Sequence, residues 1–149
     1  MPVITKNKRA IYDFEILETF ESGIELKGFE VKAIRLGRMN LSGSYVIIRA
    51  GEAWLLNASI APYQPENIPE KYDSKRTRRL LLKKSQIKNL TGRIQEKGLT
   101  LLPLKVYTKN RNLKLEIGLG KSRHKKDKRE LIKKRETQRE MRGTANSDA

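Results

Sequence analysis

LTLLPLKVYTKNRNLKLEIGLG, residues 99–120, reads as two extended arms around a tight turn at Lys109-Asn110-Arg111. In the second arm Leu113, Leu115, Ile117 and Leu119 alternate with Lys114 and Glu116. A period of two sends successive side chains to opposite faces, so this arm is a strand with one apolar face. A single hairpin of that kind is marginal in water and needs further strands to cover it. The rest of the chain supplies them.

Upstream, Tyr12, Phe14, Ile16 and Phe20 share one parity, and Asp13, Glu15, Thr19 and Glu21 share the other. This predicts a half-buried strand over 11–21, turned at Ser22-Gly23 and followed by a second strand over 24–27. SYVIIR (44–49) and AWLLNASI (53–60) flank Ala50-Gly51-Glu52 and predict another hairpin. Between them, Phe29, Ala33 and Leu36 recur at helical spacing before Gly37, a ready helix stop. From Lys75 to Lys97 the spacing of Leu80, Ile87, Leu90 and Ile94 predicts helix, interrupted near Ser85, which can cap a second helix. The three prolines of PYQPENIPEKYD (62–73) predict a surface loop. About six short antiparallel strands with two or three flanking helices, and no parallel βαβ unit, point to a small closed barrel. Three segments are expected: a flexible N-terminus over 1–8, a barrel domain over 9–120 and a basic tail over 121–149.

Charge narrows the partners. The 149 residues carry a formal net charge of +16. Residues 1–120 hold 22 basic and 12 acidic side chains, and residues 121–149 hold 11 and 5, so both parts are basic. That balance favours a polyanion, with nucleic acid ahead of a membrane surface or an acidic protein. There are no cysteines, which excludes disulfides and thiolate metal sites and fits a reducing compartment. No stretch approaches the ~20 apolar residues of a membrane-spanning helix, and the N-terminus lacks the apolar core of a signal peptide. A cytoplasmic protein without membrane partners is expected.

Motifs for chemistry are weak. GLGKS (118–122) ends like a phosphate-binding loop, but the position that needs the first glycine is Leu115. His124 is the only histidine and its neighbours are cations, so neither a metal site nor a general base is expected. Glu15, Glu18, Glu21 and Glu25 alternate with apolar positions, as on a solvated sheet face. No enzyme, cofactor or metal is expected.

Two basic blocks remain. KYDSKRTRRLLLKKSQIK (71–88) carries eight Lys or Arg against Asp73 alone. An ordinary solvated face interleaves both signs, and crowding one sign costs self-repulsion that a polyanion relieves. HKKDKRELIKKRETQREMR (124–142) has nine basic and four acidic residues, with only Leu131, Ile132 and Met141 apolar. Asp127 can cap a helix there, and Glu130 and Lys134 form a well-oriented pair. Such pairs contribute about 0.2–0.5 kcal/mol each, and no apolar stripe anchors the segment. The tail is therefore expected to be largely unstructured when free and to become helical on a polyanion.

NKRAIYDFEILETFESGIELKGFEVKAIRLGRMNLSGSYVIIRAGEAWLLNASIAPY (7–63), RTRRLLLKK (76–84) and DKRELIKKR (127–135) closely resemble the small protein B family, the SsrA-binding proteins of bacterial trans-translation. The resemblance runs collinearly from about Asn7 to Arg142. It implies an oligonucleotide-binding-type β-barrel with flanking helices that binds the tRNA-like domain of transfer-messenger RNA as a monomer in the complex. It also implies a tail acting at the small-subunit decoding centre and messenger channel of a stalled ribosome. On the RNA-binding face the resemblance places Glu21 and Leu81, with Lys83 where Asn or His is common. A planar hydrogen-bonding group has there become a point charge suited to phosphate. The candidate RNA-contacting cations are Lys8, Arg9, Lys32 and Arg35, then Arg76, Arg78, Arg79 and Lys84.

In the tail, Asp127, Lys128 and Arg129 match the family motif, with Lys126 at the preceding ring position and Ser122 at an earlier glycine. A ring can stack on a base and lysine cannot. Either His124 supplies the ring or charge suffices, from Lys121, Arg123, Lys133, Lys134 and Arg135. The rival reading is a ribosome-associated barrel protein with no preference for transfer-messenger RNA.

Overall fold

The computed structural model describes residues 2–62, 71–96 and 98–123. The centre of the expected loop (63–70) and the tail from His124 onward lie outside the described residues. In chain order the elements are β1 (Val3–Lys6), α1 (Lys8–Asp13), β2 (Phe14–Ile24), α2 (Gly28–Arg35), β3 (Met39–Asn40) and β4 (Tyr45–Arg49). Then come β5 (Glu52–Leu56), β6 (Ser59–Ile60), β7 (Arg78–Leu81), α3 (Lys84–Arg93), β8 (Leu99–Lys109) and β9 (Asn112–Ser122).

The main sheet runs β1-β8-β4-β5-β7-β2-β9, and β9 pairs back onto β8. The six strands from β8 round to β9 thus form a closed antiparallel ring, which leaves no free edge between them. Both hairpins close through two-residue turns at positive φ, Ala50-Gly51 (52° and 74°) and Asn110-Arg111 (50° and 68°). These turns match the twist of the strands they join. The interior is filled by Val46, Leu55, Leu80, Leu101, Leu115, Ile117 and Leu119, all buried, with Ala33 and Ile34 of α2 and Leu90 of α3 against it. Burying each such large aliphatic side chain contributes about 1.5–3 kcal/mol relative to leaving it exposed.

Several expectations are corrected. The N-terminus expected to be flexible forms β1, with Lys6 opposite Lys105 of β8. Residues 11–13 are helical, because Asn7 caps α1 by accepting from the Ala10 N–H (3.2 Å). Asn7 also donates through its backbone N–H to the Leu104 carbonyl (2.7 Å) and through Nδ2 to the Pro103 carbonyl (2.9 Å). Ser22-Gly23 is no turn: β2 runs through it, pairing with β9 and β7.

Nor does one parity of β2 face one side throughout. A bulge between Ile16 and Glu18 switches it. Phe14 and Ile16 therefore pack outside the ring with Ala10, Leu102 and Leu104, while Phe20 packs into the interior. Gly118 and Gly120 lie under that outer cluster; a Cβ on Gly118 would stand 2.7 Å from Leu104 Cδ1. GLGKS is thus strand, with its glycines serving close packing, and β9 extends past the expected boundary to Ser122.

α2 buries Glu30, Ala33 and Ile34, leaving Leu36 exposed, so the expected Phe29–Ala33–Leu36 stripe is wrong. Phe29 instead meets the ring of Tyr72 edge-on at 4.8 Å. The helix expected from Lys75 begins only at Lys84, N-capped by Lys83 and not Ser85. Within RTRRLLL, Arg78–Leu81 are strand because Arg78 and Leu80 face inward, pairing across the sheet with Leu55, Ala53 and Ile24.

Among the described residues Arg78 is the largest fully buried side chain. Its guanidinium donates to Glu30 Oε2 from Nη2 (2.8 Å) and Nε (3.1 Å), and to the Ser74 carbonyl (3.0 Å). Arg76 pairs with the same carboxylate. Tyr72 donates its hydroxyl to it (2.8 Å), and so does the Lys27 N–H (2.9 Å). Burial pushes the Glu30 carboxyl up, but the bonds from Arg76, Lys27, Arg78 and Tyr72 together outweigh it and bring it to about 2, against an ordinary 4.5. The Tyr72 hydroxyl is pushed up to about 12 by burial and then by Glu30.

Since the folded-state value of Glu30 is depressed, its stabilisation is present above about pH 4.5 and is lost as pH falls toward 2. The shift corresponds to about 3 kcal/mol. Glu30→Gln, which leaves Arg78 buried without its counter-charge, should cost about 3–5 kcal/mol at neutral pH. It should also flatten the acid limb of the stability curve. Urea denaturation from pH 7 to pH 2 measures both.

Candidate nucleic-acid interface

The register aligns the outward-facing side chains of β7, β2, β9 and β8 in rows, in which Tyr107 is buried (5% exposed). Leu81, Gly23, Lys114 and Tyr107 stand in one row across the four strands. Glu21, Glu116 and Lys105 stand in the next. Gly23 is where a side chain would crowd this surface, its added Cβ standing 3.2 Å from the Leu81 Cβ.

Two recesses lie side by side here. One, of 380 Å³, is lined by Val3, Thr19, Glu21, Lys105, Tyr107 and Glu116. Tyr107 donates its hydroxyl to Glu21 Oε2, Lys109 Nζ lies 3.3 Å from Glu21 Oε1, and Lys105 Nζ lies 3.5 Å from Glu116 Oε2. The Tyr107 hydroxyl foremost, and then Lys109, hold the Glu21 carboxyl below the usual carboxylate range against the opposing effect of burial. Burial and then Glu21 raise the Tyr107 hydroxyl in turn. Glu21 is thus a fixed anionic acceptor within a basic surface, able to take hydrogen bonds from a base amino group or a ribose hydroxyl.

The second recess, of 280 Å³, lies between α2 and the β8–β9 turn, with Ile24, Val31, Leu81 and Leu113 as its apolar lining. Its charged lining is Arg35, Arg111 and Lys114.

The structure thus brings Glu21, Leu81 and Arg35 onto neighbouring parts of one surface, with Lys83 two residues past the end of β7. Other candidates are elsewhere or engaged. Arg78 is buried on Glu30 and cannot reach an external RNA, which corrects that expectation. Arg76 is committed to the same carboxylate, and Arg79 pairs with Glu52 (2.8 Å) and Glu25 (3.6 Å). Lys8 and Arg9 sit on α1 at the Phe14 end of β2, nine residues or roughly 30 Å of strand from Gly23. Lys32 and Lys84 are exposed on α2 and α3.

Lys121 belongs to β9, opposite Glu15, and the Arg123 N–H donates to the Asp13 carbonyl (3.0 Å). Both are anchored to the barrel rather than to a free tail. His124, Lys126, Asp127 and the later tail candidates lie outside the described residues.

Sequence reasoning missed Lys105, Tyr107, Lys109, Arg111 and Lys114. Only Lys114 had a signal, the polar parity of the second arm; Lys105, Tyr107 and Lys109 lie on the first arm, whose parity was not read, and Arg111 lies in the turn.

Comparison with known proteins now decides the family. The sequence profile of the SmpB protein family matches residues 4–147. The chain belongs to the SmpB family. The SsrA-binding proteins of Gloeothece citriformis and a Nostoc species are each 49% identical over 139 residues, covering 93% of this chain and 90% of theirs. A solved chain described under "tmRNA-SmpB: a journey to the center of the bacterial ribosome" superposes with a TM-score of 0.68 at 41% identity. That match covers 89% of this chain and 95% of the other. SmpB membership accords with an RNA-binding barrel.

Among the described residues no group of three or more His, Cys, Asp or Glu could hold a metal, and no helix is long and apolar enough to cross a membrane.

Tyr107→Phe removes the leading influence on Glu21 and should move its carboxyl back up toward 4.5. Following the side-chain carboxyl of Glu21 by NMR through an acid titration reads this directly. An unmoved midpoint would mean that the lysines alone hold it.

Proposed function

We propose that the protein is an RNA-binding adaptor of trans-translation. It binds the tRNA-like domain of transfer-messenger RNA and brings it to stalled ribosomes, so that incomplete proteins are tagged and the ribosomes freed. The observation that carries this is the β7-β2-β9-β8 surface. It joins a fixed carboxylate, an exposed leucine and several cations on one face of a barrel whose relatives are SsrA-binding proteins. A rigid basic face with one acceptor and apolar contact area suits a folded RNA with unstacked bases better than a uniform duplex. Nothing in the site calls for bond-breaking chemistry, and the protein acts by binding, in the cytoplasm and as a monomer in its complex.

The tail is the second contact. Its dense charge without an apolar face supports a role on ribosomal RNA, at the decoding centre and messenger channel, ordering on contact.

A competition assay tests the first claim. Labelled tRNA-like domain bound near physiological salt should survive excess ordinary tRNA and unrelated structured RNA. Equal displacement by every RNA would replace this reading with a ribosome-associated barrel of general RNA affinity.

The division of labour is tested by truncation after Arg123, which leaves the whole of β9 in place. The truncated protein should bind the free RNA within about threefold of the full chain, an energy difference smaller than one net hydrogen bond. It should lose tagging on stalled ribosomes. Parallel loss of both would show that barrel and tail do not serve separate partners.

A further inference from the structure

We infer that Arg35 and Arg111 form a phosphodiester clamp that seats one unstacked nucleotide of the bound RNA in the groove between α2 and the β8–β9 turn. The inference rests on the RNA-binding reading and adds residues and a ligand class to it.

Charge separates this groove from its neighbour. The recess around Glu21 mixes Glu21 and Glu116 with Lys105, so a phosphate there would meet carboxylates. The groove beside α2 is lined by Arg35, Arg111 and Lys114 with no carboxylate. Its remaining lining is largely apolar, including Val31, Leu81 and Leu113, and Leu81 is 48% exposed on an otherwise paired strand. Cations beside an apolar surface are what a nucleotide out of its stack requires: phosphate contact for the backbone, apolar area for the base. The volume of 280 Å³ is at the small end for a ligand pocket, suiting one nucleotide unit and not an inserted helix.

The two arginines are physically coupled. Arg35 Nη2 donates to the Arg111 carbonyl at 2.8 Å, joining α2 to the turn across 76 residues of sequence. That bond uses one of five donors and leaves the rest of the fork for an anion. Arg111 itself stands at φ 68°, the second position of a turn that favours glycine. An arginine there is a poor choice for the turn alone. It makes sense if its side chain binds something.

The turn's preference also provides a clean test. Arg111→Gly removes the guanidinium, keeps the carbonyl that holds Arg35, and suits the backbone, so thermal unfolding should be unchanged or shifted upward. Binding of the full chain to the tRNA-like domain of transfer-messenger RNA should weaken roughly five- to tenfold. The slope of log K against log salt should become shallower by about one. Arg111→Lys should keep the slope while losing the fork. Arg35→Ala combined with Arg111→Gly should cost less than the sum of the two single losses, because both serve one phosphate.

Wild-type affinity and slope in Arg111→Gly would overturn the clamp and leave the RNA-binding reading standing. Failure of the unaltered protein to prefer this RNA over tRNA would remove that reading instead. The slope comparison would still decide the clamp, since phosphate contacts are independent of sequence.

Discussion

The buried pairing of Glu30 with Arg78 is the constraint on which the rest of the structure turns. Both side chains are completely buried, and taking two charges from water costs several kcal/mol per ion before anything is returned. What offsets the cost is completeness. The carboxylate accepts from Arg76, Arg78, Tyr72 and the Lys27 N–H, and the guanidinium also reaches the carbonyls of Ala58 and Ser74. The network sets α2 against β7 and against the segment entering that strand. Since α2 also carries Arg35, and β7 also carries Leu81, fixing one end of each element positions the residues that line the cationic groove. Breaking such a pair is costly because it leaves one buried charge uncompensated, so the pair holds these elements in one arrangement.

The same economy governs the outer surface. In a chain of net charge +16, the first expectation is that exposed carboxylates are few and incidental. Glu21 is neither: Tyr107 and Lys109 hold it ionised and oriented. A surface of cations alone binds any polyanion, whereas one fixed acceptor among them rejects phosphate locally and rewards a donor on the RNA. Two recesses of different charge thus lie on one face of the barrel, one mixing carboxylates with cations and the other lined by cations without a carboxylate.

Two irregularities make that face possible. The bulges between Ile16 and Glu18, and between Pro103 and Lys105, reverse the parity of β2 and β8 partway along. Apolar residues go outward beneath α1 at one end, and Glu21, Lys105 and Tyr107 go outward at the other. Gly118 and Gly120 make room for the outward apolar set, so a motif resembling a phosphate loop serves packing. Asn7 anchors the arrangement by meeting the carbonyls at the β8 bulge.

The sequence by itself determined the β-rich class, the two hairpins around Ala50-Gly51-Glu52 and Lys109-Asn110-Arg111, the basic character of both halves and the family resemblance. These rest on local period, turn chemistry and composition, which need no knowledge of distant partners. Tertiary structure decided what depends on pairing. RTRRLLL carries helix-compatible spacing, but Arg78 and Leu80 find inward sites between β2 and β5, and strand pairing overrides local preference there. The same pairing turned Arg78 from an expected RNA contact into a buried one. The resemblance pointed to Glu21 and Leu81, whereas the place of Lys105 and Tyr107 beside them follows only from the register between strands, and that of Arg111 from the turn that meets α2. A single strand shows which residues share a face; only the register between strands shows which of them meet.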